Sequence, residues 1–286
     1  MSDIDLASLL TWIGRSERAE EVLSPVPAQC LAATLSLPEA LHPRGHLPLP
    51  WHWLHFPDLT PTDRLGDDGA PREQALLPPV PLEQVMWAGA SLESRRPLRT
   101  GVATQRESTL ADLSVKQGRR GTMVFVTTEH RYVQEGALAL VERVNLVFLG
   151  AANGSTRETP APAAARRREW LVNEVVLFRY SALTFNPHRI HYDLPYATQA
   201  GGYPGLVVHG PLQATLLAET FRAWHPDRTV RRAEFRARAP LFLGTPVVVE
   251  AEPLQGDTCR LWTRSSGGGV AMECAITSDP AAEARA

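Results

Sequence analysis

Residues 205–224 read GLVVHGPLQATLLAETFRAW. Pro211 suits the first turn of a helix, where its missing N–H is not needed. Beyond it, Leu212, Leu216, Leu217, Phe221 and Trp224 recur at helical spacings that wrap much of the circumference, so the helix is apolar on most sides and must be buried. What buries it lies downstream. RAEFRARAPLFL (232–243), TPVVVEAEPL (245–254), CRLWTRSS (259–266) and GVAMECAIT (269–277) read as strands separated by Gly-containing turns. The expectation is an antiparallel sheet packed around one central helix.

Upstream the pattern comes in blocks. Leu6, Leu9, Leu10 and Ile13 suggest a first helix, with the charged SERAEEV (16–22) continuing on its register, and Ser24 can cap a second helix from Pro25 to Leu37. Residues 38–82 hold many prolines and the aromatic run Trp51-His52-Trp53-Leu54-His55-Phe56. They read as a long excursion, either a satellite core or a cover over a cleft. VMWAGASLES (85–94), GTMVFVTTEHRYV (121–133) and ALALVERVNLVFL (137–149) alternate as half-buried antiparallel strands. AANGSTRETPAPAAARRRE (151–169) lacks any apolar period and reads as a linker. LVNEVVLFRYSAL (171–183) reads as a strand opening a second unit. Both halves thus repeat one architecture of helix and sheet: 1–150, a linker at 151–168, and 169–286.

Composition narrows the function classes. With 29 basic against 31 acidic side chains and a net charge of −2, the chain lacks the basic field that supplies nucleic-acid affinity. No run of 18 apolar residues is present, so no membrane span is expected. Cys30, Cys259 and Cys274 are widely spaced and odd in number, which suggests reduced thiols in a cytoplasmic protein.

The chemistry concentrates in Thr184-Phe185-Asn186-Pro187-His188-Arg189-Ile190-His191-Tyr192-Asp193. His188, His191 and Asp193 are potential metal ligands, but their spacing fits none of the standard zinc patterns, and no metal or cofactor is expected. A structural role, with Asp193 capping the next helical segment, is the alternative. At Val207-Val208-His209-Gly210-Pro211, the start of the buried helix leaves N–H groups and a positive dipole end that can hold a developing oxyanion.

Together LTFNPHRIHYDLPYA (183–197) and GLVVHGPLQATLL (205–217) resemble the MaoC-like hot-dog hydratase/dehydratase family. The resemblance implies an α+β double hot-dog, with two antiparallel sheets each wrapped around a central helix. It places Asn186 at the position of the catalytic Asp, His191 at the catalytic His, and Gly210 at the glycine whose N–H binds the thioester carbonyl. His188 stands where the family has Asn. The variant F-N-x-H-R-I-H-Y-D and LPLPWHWLHF (47–56) look like the two-hot-dog subgroup, which includes the mitochondrial-type 3-hydroxyacyl-thioester dehydratases and the mesaconyl-C4-CoA or itaconyl-CoA hydratases. That subgroup implies an N-terminal hot dog without the motif, an acyl-CoA substrate, and a monomer or homodimer.

An amide at position 186 cannot exchange a proton near neutrality, so the expected acid/base work falls on His191. Arg189 is the candidate partner for a substrate carboxylate, with a salt bridge to Asp193 as the alternative, and His188 a candidate substrate contact. Glu219, the one acid on the buried helix, keeps a thioesterase reading open. Asn186 keeps open a catalytically silent acyl-thioester-binding protein.

Overall fold

The computed structural model describes residues 4–82, 84–118, 121–150, 159–244 and 246–280. The chain runs through α1 (Leu6–Leu10), β1 (Ser16–Val22), α2 (Val26–Thr34), β2 (His46–Leu47), β3 (Gln84–Ser94), β4 (Leu98–Arg99), β5 (Ala103–Gly118), β6 (Gly121–Gln134) and β7 (Ala137–Leu149). It continues with β8 (Arg166–Trp170), α3 (Glu174–Thr184), α4 (Gly210–Trp224), β9 (Arg228–Ala237), β10 (Val247–Ala251), β11 (Thr258–Arg264) and β12 (Val270–Pro280).

Ten strands form one antiparallel sheet in the order β1-β5-β6-β7-β3-β9-β12-β11-β10-β8. The two half-sheets expected from sequence therefore join edge to edge, through β3 and β9, where Gly89 to Glu93 pair with Arg236 to Arg232. Each half thereby covers an edge strand that would otherwise expose unpaired N–H and C=O groups. α4 lies across β9, β10, β11 and β12 with Leu212, Leu216, Leu217 and Phe221 fully buried, as its all-round apolar sequence requires. One core runs through both halves, from Leu31, Trp51, Leu92 and Leu140 to Leu217, Phe235 and Ile276. A smaller core on the N-terminal half packs Leu9 against Leu110, Leu113, Val124 and Phe148. Among the described residues no helix is long and apolar enough to cross a membrane.

Several local expectations need correction. Residues 171–183 are not a strand: α3 occupies Glu174–Thr184, with the Asn173 side chain accepting from Val176 N at 3.0 Å and Phe185 ending the helix in the left-handed region. Its β-branched Val175 and Val176 favoured the strand reading, but burial falls on Val176, Leu177, Tyr180 and Ser181, which is a helical face. SERAEEV does not extend the first helix; Gly14, at φ +91°, turns the chain and the segment pairs with β5 as an edge strand. The sixteen-residue β5 escapes a hydrophobic reading because Thr104 and Ser108 occupy two of its buried positions and a bulge between Leu110 and Asp112 breaks its alternation. The linker expected at 151–168 lies outside the described residues over 151–158, and β8 begins within it at Arg166. The aromatic run is no satellite: Trp51, Leu54 and Phe56 belong to the main core.

Candidate active site

The motif loop follows α3 directly. Phe185, left-handed at φ +52°, turns the chain so that Asn186 N bonds Ser181 O at 2.8 Å. The Asn186 Oδ1 then accepts from His188 N at 3.0 Å, an Asx turn that fixes the loop's start. A short 3-10 turn at Arg189–His191 follows.

The excursion clamps this loop from outside. Arg189 N donates to Asp68 O at 2.8 Å and the Arg189 Nη1 to Asp67 O at 2.8 Å. A Cβ on Gly69 would stand 2.0 Å from Pro187 O, so only glycine permits the approach. Arg189 also pairs with Asp193 at 2.7 Å and lies over the Tyr196 ring at 4.2 Å. Asp193 in turn accepts from Tyr196 N at 3.0 Å; that bond and Arg189 hold its carboxyl below the usual range. The salt bridge to Asp193, named from sequence as the alternative to carboxylate binding, is thus formed. Among the described residues no metal-ligating cluster forms.

The loop is stitched to the start of α4 through Val207, whose N–H donates to Ile190 O at 3.0 Å and whose carbonyl accepts from His191 Nδ1 at 2.7 Å. A carbonyl can only accept, so Nδ1 carries the proton and Nε2 keeps its lone pair. The His191 ring stacks on His209 at 3.6 Å between centroids and meets His188 at 6.4 Å. Burial pushes His191 down to about 4, against the bond to Val207, with the nearby His188 adding to the fall. The same desolvation lowers His188, and lowers His209 well below the usual imidazole range. His209 Nε2 lies 2.8 Å from Ser181 Oγ, while its buried Nδ1 has no partner. The trio is therefore neutral at pH 7.

Gly210 opens α4, and its N–H and that of Leu212 precede the first bond of the helical ladder, from Gln213 N to His209 O. Trp87 covers this end: a Cβ at position 210 would meet its Cε3 at 2.8 Å. The ring is aimed by a bulge in β3 between Trp87 and Gly89.

Two clefts meet at the motif. The outer one, about 480 Å³, is largely apolar, with Leu65, Phe178, Phe185, Pro187, His188 and Tyr192 on its walls. The inner one, about 260 Å³, lies between the halves and is lined by His52, Trp53, Trp87, Arg106, Glu142 and Pro211, among others. Asp58, Thr184 and Asn186 stand on both walls, so Asn186 marks the junction. Of the residues singled out by sequence, Asn186 and His188 line a cleft. His191 and Gly210 adjoin residues that do, and Arg189 faces neither. The aromatic run supplies His52, Trp53 and Phe56 to the inner wall while Trp51 is part of the main core, so it covers the cleft and is not a satellite core.

Sequence reading missed the polar floor of the inner cleft. Burial alone would raise Glu142, but His52 Nε2 at 3.1 Å, the nearby His130 and Trp53 Nε1 at 2.5 Å hold it at about 2; Tyr132 OH also donates to it, at 2.8 Å. Its signal was present as two charges inside the otherwise apolar LALVERVNLVF. Glu219 is not on either wall. It is fully buried on α4, bound to Trp51 Nε1 at 2.7 Å and Arg222 Nη1 at 2.7 Å.

The family profile described as hydroxyacyl-thioester dehydratase type 2 matches residues 50–243. The chain is 38% identical to the mesaconyl-C(4)-CoA hydratase of Chloroflexus aurantiacus over 94% of its own length and 98% of that protein's. It is 28% identical to the mitochondrial hydroxyacyl-thioester dehydratase type 2 of Schizosaccharomyces pombe, over 80% and 87% of the two chains. Among solved structures, a MaoC-like dehydratase superposes with a TM-score of 0.70 at 15% identity, covering 96% of this chain and all of the other. HtdX of Mycobacterium tuberculosis superposes with a TM-score of 0.64 at 19% identity, covering 92% and 99%. The α+β double hot-dog thus holds, and the chain belongs to the hydroxyacyl-thioester dehydratase type 2 family of MaoC-like acyl-thioester hydratases and dehydratases.

Proposed function

We propose that the protein adds water reversibly to the double bond of a C5 dicarboxylic enoyl-CoA, mesaconyl-C4-CoA or itaconyl-CoA, to give citramalyl-CoA. The observation that carries this is the 38% identity to a mesaconyl-C(4)-CoA hydratase along nearly the whole of both chains. In this reading the reacting groups are His191, Asn186 and Gly210. In hydration of mesaconyl-C4-CoA, whose double bond is conjugated with the thioester, the lone pair on His191 Nε2 takes a proton from water as the oxygen bonds to the β-carbon, with the Asn186 amide holding the water. Negative charge moves to the thioester oxygen as an enolate. The Gly210 N–H and the positive end of α4 stabilise it there, a contribution of about 3 kcal/mol for one such donor. Protonated His191 then delivers its proton to the α-carbon. With a pKa near 4, His191 is neutral at working pH but less basic than an exposed imidazole, so the enolate stabilisation carries more of the barrier.

In this reading residues 169–286 provide the motif and residues 1–150 the cover, since β3, β5, β6 and the aromatic run supply most of the inner wall. Both hot dogs are in one chain, so a monomer suffices. The free, mostly buried cysteines suit the cytoplasm.

A 3-hydroxyacyl-thioester dehydratase of fatty-acid type, on CoA or acyl carrier protein, is the second reading, favoured by the family description and the apolar outer cleft. Thioesterase action through Glu219 fits poorly, because Trp51 and Arg222 occupy that carboxylate inside the core. The test is parallel assay of mesaconyl-C4-CoA, itaconyl-CoA and crotonyl-CoA by absorbance and mass spectrometry, with His191→Ala as control. Faster His191-dependent hydration of the dicarboxylic thioesters is expected. Preference for crotonyl-CoA would move the assignment to the dehydratase reading, release of free CoA to a thioesterase, and no turnover to carrier-protein substrates or a silent binding protein.

A further inference from the structure

We infer that the inner cleft is a carboxylate-binding subsite with Arg106 as its cation, taking the free carboxylate of a short dicarboxylic acyl thioester. The inference rests on the dicarboxylic reading above and names the residue that reading lacks, since Arg189 is consumed by Asp193 and the Asp67 carbonyl.

Arg106 sits on β5 in the wall of the cleft, and its bonding is incomplete. Its Nη1 reaches Phe56 O only at 3.3 Å, and its guanidinium lies over the Phe56 ring at 4.9 Å. Its ion-pair partner Glu17 stands 3.8 Å from Nη2 and is itself half in solvent. Its Nε is buried and has no partner. A buried guanidinium donor left unpaired costs free energy that an incoming carboxylate would recover, and the planar fork of Nε and Nη suits two carboxylate oxygens.

The two carboxylates on the cleft wall have partners of their own. Glu142 is an anion already served by His52, Trp53 and Tyr132, and Asp58, on the wall shared with the outer cleft, accepts from Thr60 N and Oγ1. Asn186 and Pro211, beside the reacting groups, line the same cleft as Arg106. At about 260 Å³ it is the smaller and more polar of the two clefts, while the apolar outer cleft is left for the pantetheine arm.

The experiment measures both turnover and binding, in wild type, Arg106→Gln and the charge-retaining Arg106→Lys. Turnover compares kcat/KM for mesaconyl-C4-CoA and itaconyl-CoA with that for crotonyl-CoA. Binding compares succinyl-CoA with butyryl-CoA by calorimetry; both have four acyl carbons, neither can be hydrated, and only the first carries the carboxylate. Wild type should bind succinyl-CoA more tightly, and Arg106→Gln should shrink both ratios by about 100-fold, the scale of a charge-assisted pair, with Arg106→Lys keeping part of the preference. An unchanged binding ratio in a folded Arg106→Gln protein overturns the subsite even if wild type hydrates the dicarboxylic substrates. A wild type that prefers succinyl-CoA but hydrates only crotonyl-CoA overturns the proposed reaction and leaves the subsite standing. A wild type with no preference for succinyl-CoA overturns the subsite directly.

Discussion

Acidification tests the state of His191 in two independent ways. In the fold its pKa is about 4, and in the unfolded chain it returns to about 6.5. Between these values the unfolded chain binds a proton that the native site refuses, so stability contributed by this group is complete above pH 6.5 and falls as the pH drops toward 4. The linkage gives losses of about 1.4 kcal/mol at pH 5.5, about 2.6 at pH 4.5 and about 3 below pH 4. His191→Gln cannot take up that proton, so the difference between wild type and variant isolates this group from His209 and the carboxylates. Urea denaturation at pH 8, 5.5 and 4.5 reads it directly. The same proton governs activity, because protonated His191 has no lone pair for water. The acid limb of kcat/KM for the preferred thioester should therefore lie near pH 4, with circular dichroism confirming the fold at each point. A limb near 6.5, or a variant whose stability falls with pH as steeply as wild type, would refute the assignment of a buried, neutral His191.

Three further outcomes follow from named contacts. Gly210→Ala places a methyl 2.8 Å from Trp87 Cε3; overpacking should cost about 1–3 kcal/mol of stability and lower kcat, and Trp87→Leu in the same chain should recover much of both. Glu219→Ala strips Arg222 and Trp51 of their buried partner and should cost about 3–5 kcal/mol in chemical denaturation, while wild type releases no free CoA from saturated acyl-CoAs. Asn186→Ala removes the acceptor for His188 N; it should lose about 1 kcal/mol of stability but at least tenfold in kcat, and equal small effects on both would make Asn186 only a loop residue.

The sequence carried α4 and its surrounding strands because both follow from burial alone. A helix apolar on most sides has one stable environment, and period-two segments ending in Gly turns can supply it. The strand reading of 171–183 failed where burial and propensity disagree: Val175 and Val176 favour a strand, and only the Asn173 cap, three residues ahead of Val176, marks the helix. β5 was invisible for a related reason. Its buried Thr104 bonds Gln134 and its buried Ser108 meets His130, and polar residues satisfied across strands do not register as a hydrophobic period.

The site divides in the same way. Asn186, His188 and His191 were legible because local hydrogen bonds need them close in sequence, through the Asx turn and the 3-10 turn that follows. Arg106, Tyr132 and Glu142 were not, because their proximity is created by register: β5 pairs with β6 so that Arg106 faces Tyr132, and β6 with β7 so that His130 faces Glu142. No spacing along the chain encodes that meeting. The Asn186 amide had suggested a weakened catalyst, since a proton-exchanging acid is missing at the water. The structure relocates the charges. The groups placed at the reaction are three neutral histidines and an amide, with the Arg189–Asp193 pair spent on holding the loop, while Glu142 and Arg106 line the inner cleft that Asn186 also lines. A carboxylate at position 186 would lie on the wall of the same cleft and repel a second carboxylate on its way to Arg106. Asn186→Asp should therefore weaken succinyl-CoA binding more than butyryl-CoA binding. Equal effects on the two ligands would show that the amide does not serve to admit a charged acyl group.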